Sequence, residues 1–347
     1  MAISYHIQEA DLTASAAAIR GLWVTNLLGH DEDSARTKLS LGYADNPAGT
    51  GLALLLYPEG EASPVGVQGL HPRTFHFGER RLRAVGLADY AVDAQHRSLG
   101  PALQLMRHGT QVSQARFDLT YGLPNQKAAA VLARAGLRRI GTIRRFAKPL
   151  RSRQQLAQRI PAPLAAVLAP MFDLMLRLDD ARRSLQNGPR LECIETPWSQ
   201  ANIDNLWAHR PAMLLLSERS AGMLRWRFGR PERGDWRLSV AREGTAERGY
   251  VVWRFKDDYI EVGDFFSDAP DELTTPLMLA FARQARRAGA NAISVTFFGH
   301  EAVAMAIRRS GMSLRPQQAP VFKLPGADAA LDDPERWYLT SFDNDAD

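Results

Sequence analysis

The residues best placed to do chemistry lie in one short stretch. The chain reads Leu87-Ala-Asp-Tyr-Ala-Val-Asp93 and continues Ala94-Gln-His-Arg-Ser-Leu-Gly-Pro-Ala102. A short apolar strand that enters a tight turn and then a helix leaves several backbone N–H groups pointing one way, with the positive end of the helix dipole behind them. Such a turn is an anion site suited to phosphate or pyrophosphate. Pro101 is expected at the first helical position, where its missing N–H is not needed. Arg97 adds a permanent positive charge, and Gly100 lets backbone come close to a ligand. His96 sits in the loop, facing either phosphate or solvent. The alternative is a strand-turn-helix junction whose glycine serves packing alone.

Composition limits what surrounds this stretch. A chain of 347 residues, 45% apolar and 23% charged, suits two globular domains, each able to bury a core. With one cysteine, Cys193, no intramolecular disulfide can form, and its strand-like setting reads as a small buried hydrophobe rather than a nucleophile. The opening residues Met1-Ala-Ile-Ser-Tyr-His-Ile lack the pattern of a signal peptide, so a cytoplasmic location is expected. The longest apolar run, Ala162 to Leu178, is broken by Pro163, Pro170, Asp173 and Arg177, too short a stretch to span a bilayer. It reads as a connector helix or a surface-lying amphipathic segment, so peripheral membrane contact stays open while a transmembrane segment does not. The net charge of +5 is unevenly spread: nine Arg or Lys and no acid fall between Arg134 and Ile160, and residues from Asp328 onward form an acidic tail. No nucleic-acid recognition module accompanies the basic run, so nucleic acid is not expected as a partner. No metal-ligating cluster is expected either.

The elements that must position the loop follow from periodicity. Ile3 to Ile7 alternate as a strand, Leu12 to Leu28 and Asp31 to Leu41 read as helices, and Leu52 to Tyr57 and Val65 to Leu70 as antiparallel strands. Leu82 to Val92 is the strand before the loop, and Pro101 to Gln114 the helix after it. Phe117 to Leu123 make another strand. Asn125 opens a helix closed by Gly136, and Leu137 to Pro149 supply a long strand. An Arg-, Ala- and Leu-rich connector spans 151–189. Beyond it lie a strand at Arg190 to Glu195, a helix from Ser199 to Ala208, strands at Trp236 to Arg242, Tyr250 to Phe255 and Tyr259 to Phe266, a helix from Pro276 to Ala288, a strand at Asn291 to Phe298 and a helix from Glu301 to Arg309. Six of the seven tryptophans fall in this second half and read mostly as core.

Sliding the chain against itself by 175 residues aligns Asp89 with Asp264, Asp93 with Asp268, Ala94 with Ala269, Pro101 with Pro276, Gly136 with Gly311 and Lys148 with Lys323. Strands fall on strands and helices on helices, which reads as two copies of one mixed α/β domain, 1–150 and 190–325, followed by the tail at 326–347. The copies part where the anion site lies: Glu272-Leu-Thr-Thr-Pro-Leu277 replaces Arg97 by an acid and loses the glycine. The first copy is therefore the expected ligand binder.

The strand Leu87 to Val92, the loop Arg97 to Ala102 and the Asn125 to Gly136 helix resemble the acyl-CoA binding core of the GNAT acetyltransferase superfamily. That superfamily's loop, Arg or Gln, two residues, Gly, one residue, then Gly or Ala, is met at Arg97, Gly100 and Ala102. The doubled pattern is like the tandem GNAT proteins. The resemblance implies a mixed α+β sheet in each half and acetyl-CoA or another acyl-CoA as co-substrate. It implies pantetheine pairing along Ala91, Val92 and Asp93, and pyrophosphate on the amides of Ser98, Leu99, Gly100, Pro101's neighbours and Ala102. Asn125 would lie near the cofactor's far arm. The implied activity is N-acyl transfer, of acetyl above all, to a small-molecule amine or amino sugar. The alternative is a non-catalytic acyl-CoA-binding or scaffold protein. One departure matters: where these enzymes often carry a tyrosine acid, this chain has Leu132, which cannot donate a proton.

Such a transfer needs a base for the amine and preferably an acid for the thiolate. Asp89 is the candidate base, against a structural carboxylate repeated by Asp264. Tyr121 is the candidate acid, against a core tyrosine. His71 and His76 could reach a cleft but read more simply as surface histidines.

Overall fold

Period-two alternation dominates the chain, and the strands it specifies join into one mixed sheet. The computed structural model describes residues 3–27, 29–326 and 328–344. The first half contains β1 (Tyr5–Glu9), α1 (Ala16–Asn26), α2 (Glu32–Thr37), β2 (Leu52–Pro58), β3 (Gly66–Phe77), β4 (Arg80–Val92), α3 (Leu99–Arg116), β5 (Leu119–Gly122), α4 (Gln126–Arg134) and β6 (Arg138–Pro149). Helices α5 (Arg153–Ala157) and α6 (Ala162–Gln186) connect it to β7 (Glu192–Glu195), α7 (Ile203–Ala208), β8 (Leu215–Ser217) and α8 (Ala221–Phe228). Then come β9 (Arg237–Glu243), β10 (Ala246–Lys256), β11 (Tyr259–Ser267), α9 (Pro270–Arg287), β12 (Ala292–Gly299), α10 (Glu301–Arg309), β13 (Ser313–Lys323) and β14 (Trp337–Leu339). The run β3-β4-α3-β5-α4-β6 thus recurs in order as β10-β11-α9-β12-α10-β13.

The strand order is β1-β2-β3-β4-β5-β13-β6-β12-β11-β10-β9-β7, with β14 and β8 bridging β12 to β3. The last strand of each half lies in the other half. β6 pairs with β12 from Ala292↔Pro149 to Phe297↔Arg144, and β13 reaches across to β5 at Phe322↔Gly122. This exchange makes one continuous sheet of the two halves, with apolar clusters on its faces. Trp207, Trp226, Trp253 and Trp337 are in these cores, as is Cys193, whose thiol burial pushes up to about 12.

Several elements differ from their sequence outlines. Helix α3 begins at Leu99, so Pro101 is its third residue rather than its first; any first-turn position tolerates a missing N–H. Helix α9 starts at Pro270 with Asp271 and Glu272 in its first turn, before the expected Pro276. The helix expected from Ser199 begins only at Ile203. The second N-terminal helix gives way after Thr37 to a widened π turn over Lys38–Ala44. The acidic tail is folded into the protein: Trp337, Tyr338 and Leu339, an apolar run that follows its block of acids, are fully buried as a short strand of the sheet. Leu28, Ala327 and 345–347 fall outside the described residues. Among the described residues no helix is long and apolar enough to cross a membrane.

Candidate functional site

Strands β4 and β5 run parallel and pair only from Ala84↔Leu119 to Leu87↔Gly122. Beyond Leu87, β4 stays with β3 on one side and parts from β5 on the other. The cause is local: the β3–β4 register shifts between Val67 and Gly69, and Asp89 takes a left-handed φ of 47° at that bulge. A bulge bends its strand and re-aims its side chains. Here it opens a wedge lined by His71, Arg73, Gly86–Ala88 and Tyr121–Leu123, with Asp343 and Asn344 of the C-terminal segment at its edge.

The loop expected to bind an anion stands at the end of the same strand. After Val92 the chain makes a 3₁₀ turn at Ala94–His96 and enters α3 through Ser98 in extended conformation. No side chain caps that helix; the Ser98 amide donates to the His96 carbonyl at 2.8 Å and the Ala102 amide to the Ser98 carbonyl at 3.4 Å, so of the expected set the Leu99 and Gly100 amides keep the anion-binding geometry. Arg97 is exposed at the mouth, its Nε donating to the Val92 carbonyl at 3.1 Å and its Nη2 to Asn26 at 2.9 Å. Asn26 in turn donates to Asp93 at 2.6 Å, so α1 holds Arg97 and Asp93 together. A Cβ built on Gly100 meets nothing within 4 Å. Packing does not require this glycine, yet glycine costs a helix roughly 1 kcal/mol relative to alanine. A shallow groove continues from Gly100 along α3 past Gln104, Arg107 and His108 to Ile7 of β1. Asn125 caps α4, accepting from the Ala128 amide at 3.0 Å. Ala91 and Val92 are buried in β4, and Ala102 is buried on α3 with the Tyr90 hydroxyl donating to its carbonyl at 2.8 Å.

Asp89 is buried, and Lys38, Tyr43 and His71 are among its partners. Lys38 donates to Oδ1 at 2.7 Å, the Tyr43 hydroxyl to Oδ2 at 2.8 Å, and His71 Nε2 lies 3.0 Å from Oδ2. Burial alone would raise its pKa, but the charge of Lys38 and the bond to His71 outweigh that and hold the carboxyl well below the usual carboxylate range. A carboxylate held so firmly ionised is a weak proton acceptor and a strong orienting group. An ionised carboxylate can only accept, so the Nε2 side of His71 is turned to Asp89 and the ring is held in one orientation. Because the folded-state pKa is depressed, this carboxylate stabilises the fold in full above pH about 4, the ordinary aspartate range, and loses that contribution only as pH falls towards the lowered value.

The packing beneath the dyad is tight. A Cβ on Gly69 would lie 1.9 Å from the Tyr43 hydroxyl. Gly69→Ala is therefore expected to push Tyr43 off Asp89 and destabilise the protein by about 1–3 kcal/mol in urea unfolding; an unchanged midpoint would refute the contact.

Tyr121 is also buried, its hydroxyl donating to the Asp343 carbonyl at 3.1 Å while its ring lies under Gly86. Leu132 packs against Gly122, where the strands part, so no proton donor comes from that position. His76 is half-buried against Trp207, and His96 Nδ1 pairs with the Tyr5 hydroxyl at 2.9 Å. Two groups that the sequence reading set aside or passed over are central here. His71 is buried in the wedge rather than on the surface, and Arg73 is buried two residues on, on the same face of β3. Arg73 lies 5.1 Å over the Trp226 ring, and among the described residues its Nε and Nη1 have no hydrogen-bond partner. A histidine and an arginine at i and i+2, on one face of a strand, were the available signal.

The second half has the corresponding wedge, where β11 and β12 pair only at Ile260↔Ile293 and Glu261↔Ser294. It is filled. β14 adds to β12 at Phe298↔Leu339, Tyr338 sits among Phe265, Phe266 and Phe297, and its hydroxyl donates to the Phe265 carbonyl at 2.8 Å. Asp264 pairs with Arg219 at 3.1 Å and accepts from Tyr250 and Thr340. Asp271 and Glu272 occupy the helix start that the first half leaves open.

A parallel pair splayed at a bulge, followed by an uncapped helix, is the architecture of the GNAT fold, and the chain has that fold. A GCN5-related N-acetyltransferase from Anabaena variabilis matches with a TM-score of 0.63 at 13% identity, over 92% of this chain and 72% of that one. A second from Kribbella flavida gives 0.57 at 14%, over 92% and 71%. The Saccharomyces cerevisiae N-myristoyltransferase with bound myristoyl-CoA gives 0.54 at 10%, over 93% and 79%. No protein-family model and no curated protein matches the sequence.

Proposed function

We propose that the protein is an acyl-CoA-dependent N-acyltransferase whose first half holds the acyl-CoA and whose wedge receives an amine. The observation that carries this reading is the open wedge between β4 and β5, leading into the uncapped α3, beside a second-half wedge already filled by the chain itself. The edge of β4 turned away from β3 at Ala91 and Val92, with Asp93 just beyond it, would pair with the pantetheine arm once Arg97 releases the Val92 carbonyl. The amides of Leu99 and Gly100 with Arg97 would face the pyrophosphate, with Ser98 and Ala102 framing the turn, and the α3 groove beyond Gly100 would take the nucleotide end, near Asn125 or along Arg107.

The acyl-CoA supplies the activated thioester; the rest falls to the chain. His71 Nδ1 takes the proton of the attacking amine, with Asp89 as positioning residue behind the ring. The buried guanidinium of Arg73, at the wall of the wedge, would set a positive charge near the oxygen that gains charge as the carbonyl is attacked. Tyr121 stands at the same wedge, as the nearest phenol to a leaving thiolate. The acyl group passes from sulfur to nitrogen, and the thiolate leaves as free CoA once protonated.

Calorimetric titration with acetyl-CoA tests the binding step. Saturable heat is expected for the native chain, and Gly100→Glu, which adds bulk and a negative charge where nothing else stands, is expected to weaken it at least about tenfold. Gly100→Ala should fold as well as the native chain. Absence of heat with acetyl-, longer acyl- and free CoA would overturn the proposal. Binding without thiol release across amines and amino sugars would instead favour a non-catalytic acyl-CoA-binding role.

A further inference from the structure

Helix α6 is built inside out. An amphipathic helix on a globular protein turns its apolar stripe to the core, whereas the residues α6 buries are Ala165, Ala169 and Asp180. Asp180 joins Lys148 at 2.5 Å and Arg286 at 2.6 Å, and Asp173 accepts from the Ser152 amide and hydroxyl at 2.7 Å each. Small and acidic side chains anchor the helix. Its large apolar ones face solvent: Leu164, Val167, Met171, Leu174, Met175 and Leu178 are each 53–74% exposed. At 100° per residue these six fall within an arc of about 100°, a continuous stripe along the helix. An exposed stripe of this extent marks an interaction surface.

Charge identifies what it meets. Between 151 and 178 the exposed charged residues are Arg151, Arg153, Arg159 and Arg177, and the single acid, Asp173, is turned to Ser152. α5, which carries Arg153, packs against α6. Two copies of the stripe placed face to face would bring these arginines together with no exposed acid from that segment to answer them. A surface that is apolar within and anionic at its edge satisfies both features, and an anionic phospholipid leaflet is such a surface.

We infer that α6 lies in the plane of an anionic membrane surface, its Leu164–Leu178 stripe among the acyl chains and the flanking arginines on lipid headgroups. The helix does not span the bilayer. This docking needs no acyl-CoA, so it stands or falls apart from the enzymatic reading.

Sedimentation of the full chain with phosphatidylcholine vesicles, with and without a one-third share of phosphatidylglycerol, tests it. Binding to the phosphatidylglycerol vesicles is expected, falling with added salt. The double variant Val167→Glu/Met175→Glu should lose it at least about tenfold, since both side chains would have to be dehydrated as charges. Arg153→Glu/Arg159→Glu should weaken binding about fivefold or more per arginine and flatten the salt dependence. All four sites are exposed, so circular dichroism and thermal midpoints should match the native chain. Equal binding to both vesicles, or none to either, would overturn the inference. A dimer in light scattering that Val167→Glu/Met175→Glu dissociates, without vesicle binding, would give the stripe to a second copy.

Discussion

His71→Gln is expected to lower kcat for amine acylation by roughly a hundredfold or more while leaving the affinity for acetyl-CoA within about threefold of native. Glutamine keeps the size and polarity of the ring and can still bond Asp89, so folding is preserved; what it lacks is a basic nitrogen. The split between kcat and cofactor affinity follows from position: His71 lies in the wedge on β3, while the pyrophosphate loop begins beyond Val92 on β4. A variant that keeps its rate would return the base to water or to another side chain, and Tyr121→Phe assayed alongside would report on the thiolate's proton.

The second large effect is on stability. Asp264→Ala is expected to cost about 3–5 kcal/mol in urea unfolding, because it leaves the Arg219 guanidinium buried beside an absent partner. Arg219 and Asp264 are both completely buried, and the same guanidinium donates to Asp343 at 2.9 Å. Burial works against the arginine's charge, but the carboxylates of Asp264 and Asp343 overcome it and keep the group protonated. Thr340 and Tyr250 also lose their acceptor. The residues released, 340–343, are those that carry Asp343 to the rim of the first wedge, so acyl transfer should fall together with stability. A loss below about 1 kcal/mol would mean that the pair had been isosterically dispensable.

Asp89 and Asp264 show how one aligned position serves two ends. Both are buried aspartates at register shifts, each holding a tyrosine hydroxyl and a cation. Only around Asp89 does a histidine share the carboxylate and line an open wedge. Comparing the two stretches of sequence pointed to a structural role for Asp89. It did not reveal that this role is to orient His71, because His71 lies 18 residues away on another strand.

The sequence by itself determined the alternating strands, the mixed α/β class, the repeated order of elements and the loop from Arg97 to Ala102. These depend on local periodicity, on proline and glycine chemistry, and on which amides a helix start leaves unpaired. It also determined that Leu132 donates no proton. Only the tertiary structure decided which strands meet. The exchange of β6 and β13, the burial of the acidic C-terminal segment and the meeting of His71 with Asp89 all rest on contacts between residues far apart in the chain, whose partners no window of sequence contains. The same holds for α6. Its apolar stripe is legible in the sequence, but the direction it faces was set by Lys148, Ser152 and Arg286, which claim its acidic side for the interior.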